Sequence, residues 1–229
     1  ATYRIELPAG QGCRYRELNT QGKGIQVKES TGANGQQVIK ATASKLSPII
    51  KEPFGPDFTE LFPRVYFAPS AFKYDKSEGD MSNWQKYGEW QYRLLDGRDL
   101  LTEPFRAKLH ELTAHCTTDR DKVKAIYDYL AKTTRYVSIQ LGIGGLQPIA
   151  AADVCRTGFG DCKGLSNYTR AMLKELGIAS TYTVISTTNE RLLPDFSSAN
   201  QMNHVILQVP LPQDTLWLEC TNPSLPFGY

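Results

Sequence analysis

The chain has 229 residues, enough for one large domain or two small ones. Its formal net charge of +2 is too small to indicate a nucleic-acid partner or an anionic membrane surface. No apolar run approaches the roughly 20 residues of a membrane-spanning helix, and no signal peptide opens the sequence, so we expect no membrane span.

The first third of the chain has the pattern of a β-rich domain. Up to residue 48, short β-prone runs alternate with glycine-rich breaks. Asn34-Gly35 separates the runs 25–28 and 37–40, which predicts a β-hairpin. Residues 49–79 are rich in proline and aromatic side chains, and this segment is too apolar for a free linker. We therefore expect extended chain pinned across the next domain.

From residue 80 the pattern changes to amphipathic helices, so we place a domain boundary near Gly79. The prediction is a β-rich N-terminal domain, or part of one, over residues 1–79, and a second domain over residues 80–229. Three helices are expected before residue 134. His110 and His115 lie in a charged stretch among them, which is typical of a solvated surface.

A further helix is predicted over residues 160–176. Its apolar residues recur at spacings of three, four and seven: Leu165, Tyr168, Met172, Leu173 and Leu176. Gly177 supplies a C-terminal stop, and Asp161 is placed to cap the N-terminus. Cys162 therefore falls within the first turn.

The position of Cys162 favours an ionised thiol. The positive end of the helix and the neighbouring Lys163 both stabilise a thiolate, so this cysteine should ionise more readily than a free thiol of pKa about 8.5. Such a thiolate is a nucleophile at physiological pH. The alternative is a small buried apolar residue, as most free cysteines are, and a base beside Cys162 would decide between the two.

His204 is the candidate base, because the other two histidines lie long before Cys162. It opens a β-branched run that predicts a strand over 204–209, and a second strand is predicted over 216–221. With a loop centred between residues 211 and 212, an antiparallel hairpin places His204 opposite Glu219 on one face. A slip of one residue would place Cys220 there instead.

The five cysteines, an odd number, leave at least one thiol unpaired. They include no Cys-x-x-Cys pair of the kind that redox sites and zinc sites use. A zinc site made from Cys155, Cys162 and His204 would still need a fourth ligand. We therefore expect neither a metal nor another cofactor.

Three separated motifs together resemble one protein family. They are a helix opening with Gly160-Asp161-Cys162-Lys163, a strand opening with Asn203-His204, and the acid-x-Thr strand Trp217-Leu218-Glu219-Cys220-Thr221. In this order and spacing, the chain from about Asp119 to Thr221 resembles the transglutaminase-like superfamily. More narrowly, it is similar to the bacterial branch in which a β-rich domain precedes a papain-like core. The resemblance implies an α+β fold with the cysteine helix packed on an antiparallel sheet.

The resemblance also implies roles for three residues. The family's nucleophile matches Cys162, its base matches His204 and its orienting carboxylate matches Glu219. The chain departs from the family twice, because the third position is usually aspartate and because Gly164 stands where aspartate is often found. The extra methylene of glutamate changes the geometry needed to orient the imidazole.

An oxyanion hole is the remaining part of such a site. Papain-like enzymes often take one donor from a residue upstream of the cysteine, and the backbone N–H of Cys162 would be the other. Gln140 and Gln147 precede Cys162 by 22 and 15 residues and are the two candidates. The sequence does not choose between them.

The function that these features imply is acyl transfer at amide bonds of peptides or proteins through a thioester on Cys162. A cysteine protease or amidase is favoured, with a protein-glutamine transglutaminase and an inactive binding module as alternatives. The expected partner is a peptide or protein substrate. We expect a periplasmic or secreted location, with a cytoplasmic one left open, and a further C-terminal domain that this chain lacks is also left open.

Overall fold

The computed structural model describes residues 1–50, 52–56, 58–188, 191–222 and 225–228. Its strands are β1 (Thr2–Leu7), β2 (Cys13–Leu18), β3 (Ile25–Thr31), β4 (Gln37–Ala43), β5 (Arg64–Pro69), β6 (Ala71–Tyr74), β7 (Ser77–Asp80), β8 (Arg135–Tyr136), β9 (Phe159–Gly160), β10 (Thr181–Ile185), β11 (His204–Leu211) and β12 (Asp214–Leu218). Its α-helices are α1 (Phe58–Leu61), α2 (Trp84–Arg93), α3 (Glu103–Thr113), α4 (Asp119–Thr133), α5 (Ala151–Thr157) and α6 (Cys162–Glu175).

The described residues form two compact units. The first contains residues 1–90 and 188–201, and the second contains residues 91–187 and 202–229. The boundary that we place near Gly79 separates domains that would fold independently. The two compact units do not test that property, so the boundary stays a prediction. Within the described ranges, no helix has both the length and the apolar character needed to cross a membrane.

The first unit is built mainly from antiparallel strands. A three-stranded sheet has the order β1-β4-β3, and β2 pairs with β5 and β6 with β7. The predicted hairpin around Asn34-Gly35 is confirmed, since β3 and β4 pair from Thr31 and Gln37 outward. The segment expected to be extended chain contains β5, which joins a sheet of this unit where Val65 pairs with Glu17, and its placement across the next domain stays a prediction.

The second unit is the α+β core that the sequence predicts. Helix α6 packs on the antiparallel sheet β10-β11-β12, with α3, α4 and α5 around it. The predicted apolar stripe of α6 is confirmed as core: Leu165, Tyr168, Met172 and Leu173 are at most 1% exposed. The helix ends at Glu175, and Gly177 supplies the expected stop: its φ of +74° suits glycine, and the Ile178 N–H closes the turn on the Leu173 carbonyl at 2.9 Å.

The register of the β11–β12 hairpin differs from the one predicted. Leu211 pairs with Asp214 and Leu207 with Leu218, so the turn contains only Pro212 and Gln213. The predicted loop was too long because Pro210 was taken as a strand breaker. Strand β10 pairs with β11 only as far as Gln208, and beyond that point β11 is paired on one side and tolerates a proline.

The true register is shifted by two residues from the predicted one. Continued past the end of β12, it would set Glu219 opposite Ile206 rather than opposite His204. A shift of two leaves every side chain on its original face of the sheet. His204 and Glu219 therefore still share a face, although they are diagonal neighbours and not directly opposed.

Candidate active site

The backbone around Cys162 is held by hydrogen bonds on both sides. Before it, β9 pairs in parallel with β8, and the Val137 N–H donates to the Gly160 carbonyl at 2.9 Å. After it, the Asp161 side chain caps α6 by accepting from the Gly164 N–H at 3.0 Å. Cys162 is the first residue of the helix, and it is 6% exposed. Its own N–H belongs to the first turn, which lacks acceptors within the helix.

Gly164 is required by the packing of this turn. A Cβ at that position would lie 2.8 Å from Cγ1 of Ile149, which is too close for two carbon atoms. The aspartate that the family often carries here would meet the same obstacle. Glycine at this position therefore fits the packing of Ile149 against the first turn of α6.

From the sequence we expected Lys163 to present a free ammonium to Cys162, but it does not. Its Nζ bonds Oδ2 of Asp161, and both side chains are buried, with 6% and 3% of their surface exposed. The carboxylate neutralises the cation locally, so the effect of Lys163 on the thiol is smaller than a lone charge would give. The same Asp161 side chain thus caps the helix and balances a buried charge.

His204 begins β11, and its ring is bound to Glu219. Nε2 lies 2.7 Å from Oε2 of Glu219, and the two side chains keep 16% and 24% of their surface exposed. The other carboxylate oxygen, Oε1, accepts from both the backbone N–H and the hydroxyl of Thr221. These two bonds fix the rotation of the carboxylate, so glutamate reaches the imidazole despite its extra methylene.

The ionisation of the site agrees with this geometry. The pKa of His204 is raised to about 9, first by a side-chain hydrogen bond with Cys162 and then by the bond with Glu219, against the effect of burial. Because Nε2 is taken by Glu219, the Nδ1 nitrogen is the one left for Cys162. Burial alone would raise the pKa of Glu219, but hydrogen bonds from His204 and Thr221 outweigh it and hold that pKa below its usual value.

Cys220 was the alternative partner of His204. Its burial and the high pKa of its thiol keep it out of the site. It is 3% exposed within the core of the second unit. Burial raises the pKa of its thiol to about 11, although Thr169 and Ser166 offset part of that rise. At neutral pH this thiol is protonated, so it is neither a nucleophile nor a charged partner for the imidazole.

The two glutamine candidates are placed differently. Gln147 uses both ends of its amide, because Oε1 accepts from Arg98 at 2.9 Å and Nε2 donates to the Leu94 carbonyl at 3.3 Å. Gln140 is exposed in the segment that follows β8. An assignment of either residue to an oxyanion hole stays a prediction, and the engaged amide of Gln147 makes it the weaker candidate.

The sequence reasoning did not single out Thr221 or Ile149. Thr221 was part of the acid-x-Thr motif, and its spacing of two residues from Glu219 in an extended segment was the available signal. Ile149 gave no signal, because its contact with Gly164 is made across the fold. Among the described residues, no group of three or more His, Cys, Asp or Glu side chains could hold a metal ion, and all five cysteines are free thiols.

Comparison with known proteins gives one family and one shared fold. The model of the transglutaminase-like superfamily matches residues 106–221, just over half of the chain. A "putative protease" from Parabacteroides distasonis aligns with 95% of this chain at a TM-score of 0.68 and 15% identity, which shows the fold alone. This chain spans 39% of the length of that protein. No curated protein matches.

Two further structures align over nearly the whole chain with lower scores. A "putative cysteine protease" from Cytophaga hutchinsonii covers 96% of it, with 71% of its own length aligned, at a TM-score of 0.44 and 12% identity. The periplasmic domain of TgpA from Pseudomonas aeruginosa covers 96%, with 69% of its own length aligned, at a TM-score of 0.40 and 14% identity. Both scores are below 0.5, so these two structures add no argument.

Proposed function

The chain belongs to the transglutaminase-like superfamily, and we propose that it is a cysteine-nucleophile enzyme that transfers the acyl group of an amide bond in a peptide or protein. Cys162 is the nucleophile, His204 the general base and acid, and Glu219 the carboxylate that orients the imidazole. Hydrolysis is the favoured outcome, which makes the protein a cysteine protease or amidase.

The observation that carries this proposal is the 2.7 Å bond between His204 and Glu219, on an imidazole whose pKa is raised chiefly by Cys162. With a pKa of about 9, His204 is an imidazolium at neutral pH. An imidazolium beside the sulfur stabilises a thiolate, as in enzymes that activate cysteine with a neighbouring histidine. The 2.7 Å bond to Glu219 occupies Nε2, so Nδ1 is the nitrogen that this proposal assigns to the sulfur.

The reaction follows from these positions. The Cys162 thiolate attacks the amide carbonyl carbon, and the carbonyl oxygen becomes an oxyanion. His204 then donates its proton to the amine nitrogen, the C–N bond breaks, and the amine leaves a thioester on Cys162. A water molecule, deprotonated by the now neutral His204, attacks the thioester, and the acid departs while the proton held by His204 restores the starting pair.

The start of α6 supplies the oxyanion stabilisation. The N–H of Cys162 lies in the first helical turn, where backbone donors lack acceptors and the helix dipole is positive. One such donor is typically worth 10²- to 10³-fold in kcat. Gln140 is the candidate for the second donor, and Gln147 remains the alternative.

Solvent access favours hydrolysis over transamidation. A transglutaminase must keep water away from its thioester until an amine arrives, whereas a hydrolase needs water beside its base. The side chains of His204 and Glu219 are 16% and 24% exposed, so water reaches the imidazole. The exposed side chains of Tyr136 and Val137, beside Gly160, offer an apolar strip for a peptide close to Cys162.

The direct test is to incubate the protein with a glutaminyl peptide and with casein, with and without a primary amine, and to read the products by mass. Hydrolysis is expected to give cleaved or deamidated products whether or not the amine is present. Products that carry the amine in place of ammonia would instead identify a transglutaminase. Intact mass after rapid acid quenching is expected to show an acyl adduct on Cys162.

Matched cysteine variants control this test. Cys162→Ala is expected to abolish both turnover and adduct, whereas Cys116→Ala removes a partly exposed thiol of the same unit and should leave both unchanged. Iodoacetamide labelling across pH compares Cys162 with Cys116 in one molecule. If Cys162 reacts no faster than Cys116 at pH 6 to 7, and Cys162→Ala keeps its activity, the enzyme proposal is wrong.

The binding-module alternative predicts a different set of results. In that case the protein would bind peptides with equal affinity whether residue 162 is cysteine or alanine, and no adduct would form. The periplasmic or secreted location also stays a prediction, which cell fractionation with an antibody to this chain would test.

A further inference from the structure

Two side-chain contacts hold the strand that carries His204, one on each side of this residue. Both lie within the second unit. The first joins β11 to the helix that begins with Cys162, and the second joins it to β10. The two contacts span 39 and 16 residues of chain, so no local pattern indicates them.

Ser166 connects the cysteine helix to the histidine strand. Its hydroxyl donates to the carbonyl of Val205, the residue after His204, at 3.3 Å. Ser166 is fully buried and Val205 is 4% exposed, so water does not compete for this bond. Cys162 lies four residues before Ser166, which places the two side chains on one face of α6, about 6 Å apart along the axis. The bond therefore fixes the position of β11 along the first turns of α6.

The same serine lies beside the segment that carries Glu219. A hydrogen bond between Ser166 and Cys220 counteracts part of the rise in the pKa of that thiol. The register of the β11–β12 hairpin, continued past the end of β12, sets Cys220 opposite Val205. Both residues are buried, and they are the chain neighbours of Glu219 and His204. Ser166 thus meets the chain next to both the base and its carboxylate.

Asn203 holds the same strand on the other side of His204. Its Oδ1 accepts from the backbone N–H of Thr187 at 2.9 Å and from the Thr187 hydroxyl at 3.1 Å. The N–H of Asn203 donates to the carbonyl of Ile185 at 3.0 Å, and Ile185 is the residue that pairs with His204. These three bonds tie the start of β11 to the end of β10. Asn203 is exposed, so water competes for its side-chain bonds.

We propose that Ser166 and Asn203 are positioning residues, which hold the backbone on either side of His204 so that its imidazole stays beside Cys162. This inference rests on the acyl-transfer function proposed above. A catalytic group displaced by about 1 Å can lose about 10²-fold in rate, so bonds to the residues next to the base act on the reaction without touching the substrate. Neither side chain makes or breaks a covalent bond, and both act through the strand.

The test compares Ser166→Ala and Asn203→Ala with the unaltered chain on a glutaminyl peptide. Ser166→Ala is expected to lower kcat about 3- to 10-fold with KM nearly unchanged, because it removes a buried hydrogen bond and no substrate contact. Asn203→Ala should lower kcat in the same way by about 2- to 5-fold, since its side-chain bonds are exposed. Asn203→Asp keeps an acceptor oxygen for Thr187 and should recover most of this loss.

Two readouts of the same variants do not depend on turnover. In protein labelled with carbon-13 histidine, the pKa of His204, about 9 in the unaltered chain, should fall in both alanine variants. The reason is that the imidazole is held less firmly beside Cys162 and Glu219, the two ionisable groups that act on it. The rate at which iodoacetamide alkylates Cys162 at pH 6 to 7 should fall as well, because a looser imidazolium stabilises the thiolate less.

Thr113→Val is the matched control for the loss of a buried hydroxyl. The Thr113 hydroxyl bonds the Leu109 carbonyl of its own helix, α3, in the same unit. Its removal should lower the melting temperature by about 2 to 4 °C, as Ser166→Ala does. It should leave kcat, the pKa of His204 and the alkylation rate unchanged, because α3 carries no residue of the proposed triad.

Cys162→Ala separates this inference from the proposed function. It should lower the pKa of His204, because the bond with Cys162 is the main cause of that raised pKa. If it does not, sulfur and imidazole are not paired, and both the function and the positioning roles fail. If it does, but Ser166→Ala and Asn203→Ala behave like the control in all three readouts, only the positioning roles are overturned. Should Ser166→Ala fail to fold, the comparison of Asn203→Ala with Asn203→Asp decides.

Discussion

Replacing Glu219 with glutamine removes the charge of the proposed triad. Glutamine has the same length but one acceptor oxygen instead of two, so it keeps either the bond with His204 or the bonds from Thr221. We expect the pKa of His204 to fall. The charge-assisted bond of 2.7 Å becomes a neutral one or is lost, and no carboxylate favours the imidazolium.

The size of the fall follows from the bond that is lost. A hydrogen bond to a charged group contributes about 1.5 to 3 kcal/mol, and 1.36 kcal/mol corresponds to one pKa unit, so the expected shift is about one to two units. His204 would then titrate at about 7 to 8 instead of about 9. The hydrogen bond with Cys162, the larger cause, remains and holds the pKa above the histidine value of about 6.5.

Deprotonation of His204 should lower both the stability of the folded chain and the activity of the site. A raised pKa means that protonated His204 stabilises the folded chain. This contribution is complete below about pH 6.5 and is lost as the pH rises through about 9. The alkaline limb of a kcat/KM profile should lie near the same value, and in Glu219→Gln both transitions should move to lower pH.

Carbon-13 labelling of histidine gives a direct assay, since the chain has only three histidines. Glu175→Gln is the matched control, because Glu175 lies 3.2 Å from His110 in the same unit and does not contact His204. It should leave the titration of His204 unchanged. If His204 titrates near 6.5 in the unaltered chain, or does not respond to Glu219→Gln, the argument from these hydrogen bonds is refuted.

Three further predictions concern the support of the site. Thr221→Val removes the hydroxyl bond to Glu219 and should lower kcat about tenfold, whereas Thr221→Ser should retain activity, and equal activities of the two variants would count against a positioning role. Gly164→Ala should destabilise the fold by about 1 to 3 kcal/mol in urea unfolding because Ile149 blocks a Cβ, while Gly88→Ala in α2, with open space around it, should stabilise it by about 0.5 to 1 kcal/mol. Lys163→Met leaves a buried carboxylate unpaired and should cost about 3 to 5 kcal/mol, and stability equal to that of the unaltered chain would contradict the buried pair.

The elements that the sequence predicted well are those with a strong local signal. The stripe from Leu165 to Leu173, capped by Asp161 and stopped by Gly177, contains everything needed to recognise α6. The hairpin at Asn34-Gly35 is equally local. These elements could be predicted because spacing and turn chemistry act within a few residues.

The features that the sequence did not reveal depend on contacts across the fold. Pro210 remains in β11 because β10 ends opposite Gln208, which no local pattern indicates. The pairing of Lys163 with Asp161 depends on the burial of both, and two opposite charges spaced two residues apart give no information about burial. The roles assigned to Cys162 and His204 came from the helix start, from the positions of the three histidines and from a family resemblance, and they stay predictions that the labelling experiment tests.

Glu219 stands where the family usually has aspartate, and contacts with Thr221 compensate for this change of residue. A glutamate has one more rotatable bond than an aspartate, so a free glutamate would lose more side-chain entropy on being held beside the imidazole. Thr221 offsets this loss, since its N–H and hydroxyl both bind Oε1 and leave Oε2 directed at His204. Residues 219 and 221 therefore act as one unit, because the hydroxyl two residues after the acid sets where the acid points. In this chain, the bonds from Thr221 let a glutamate stand where the resemblance leads us to expect an aspartate.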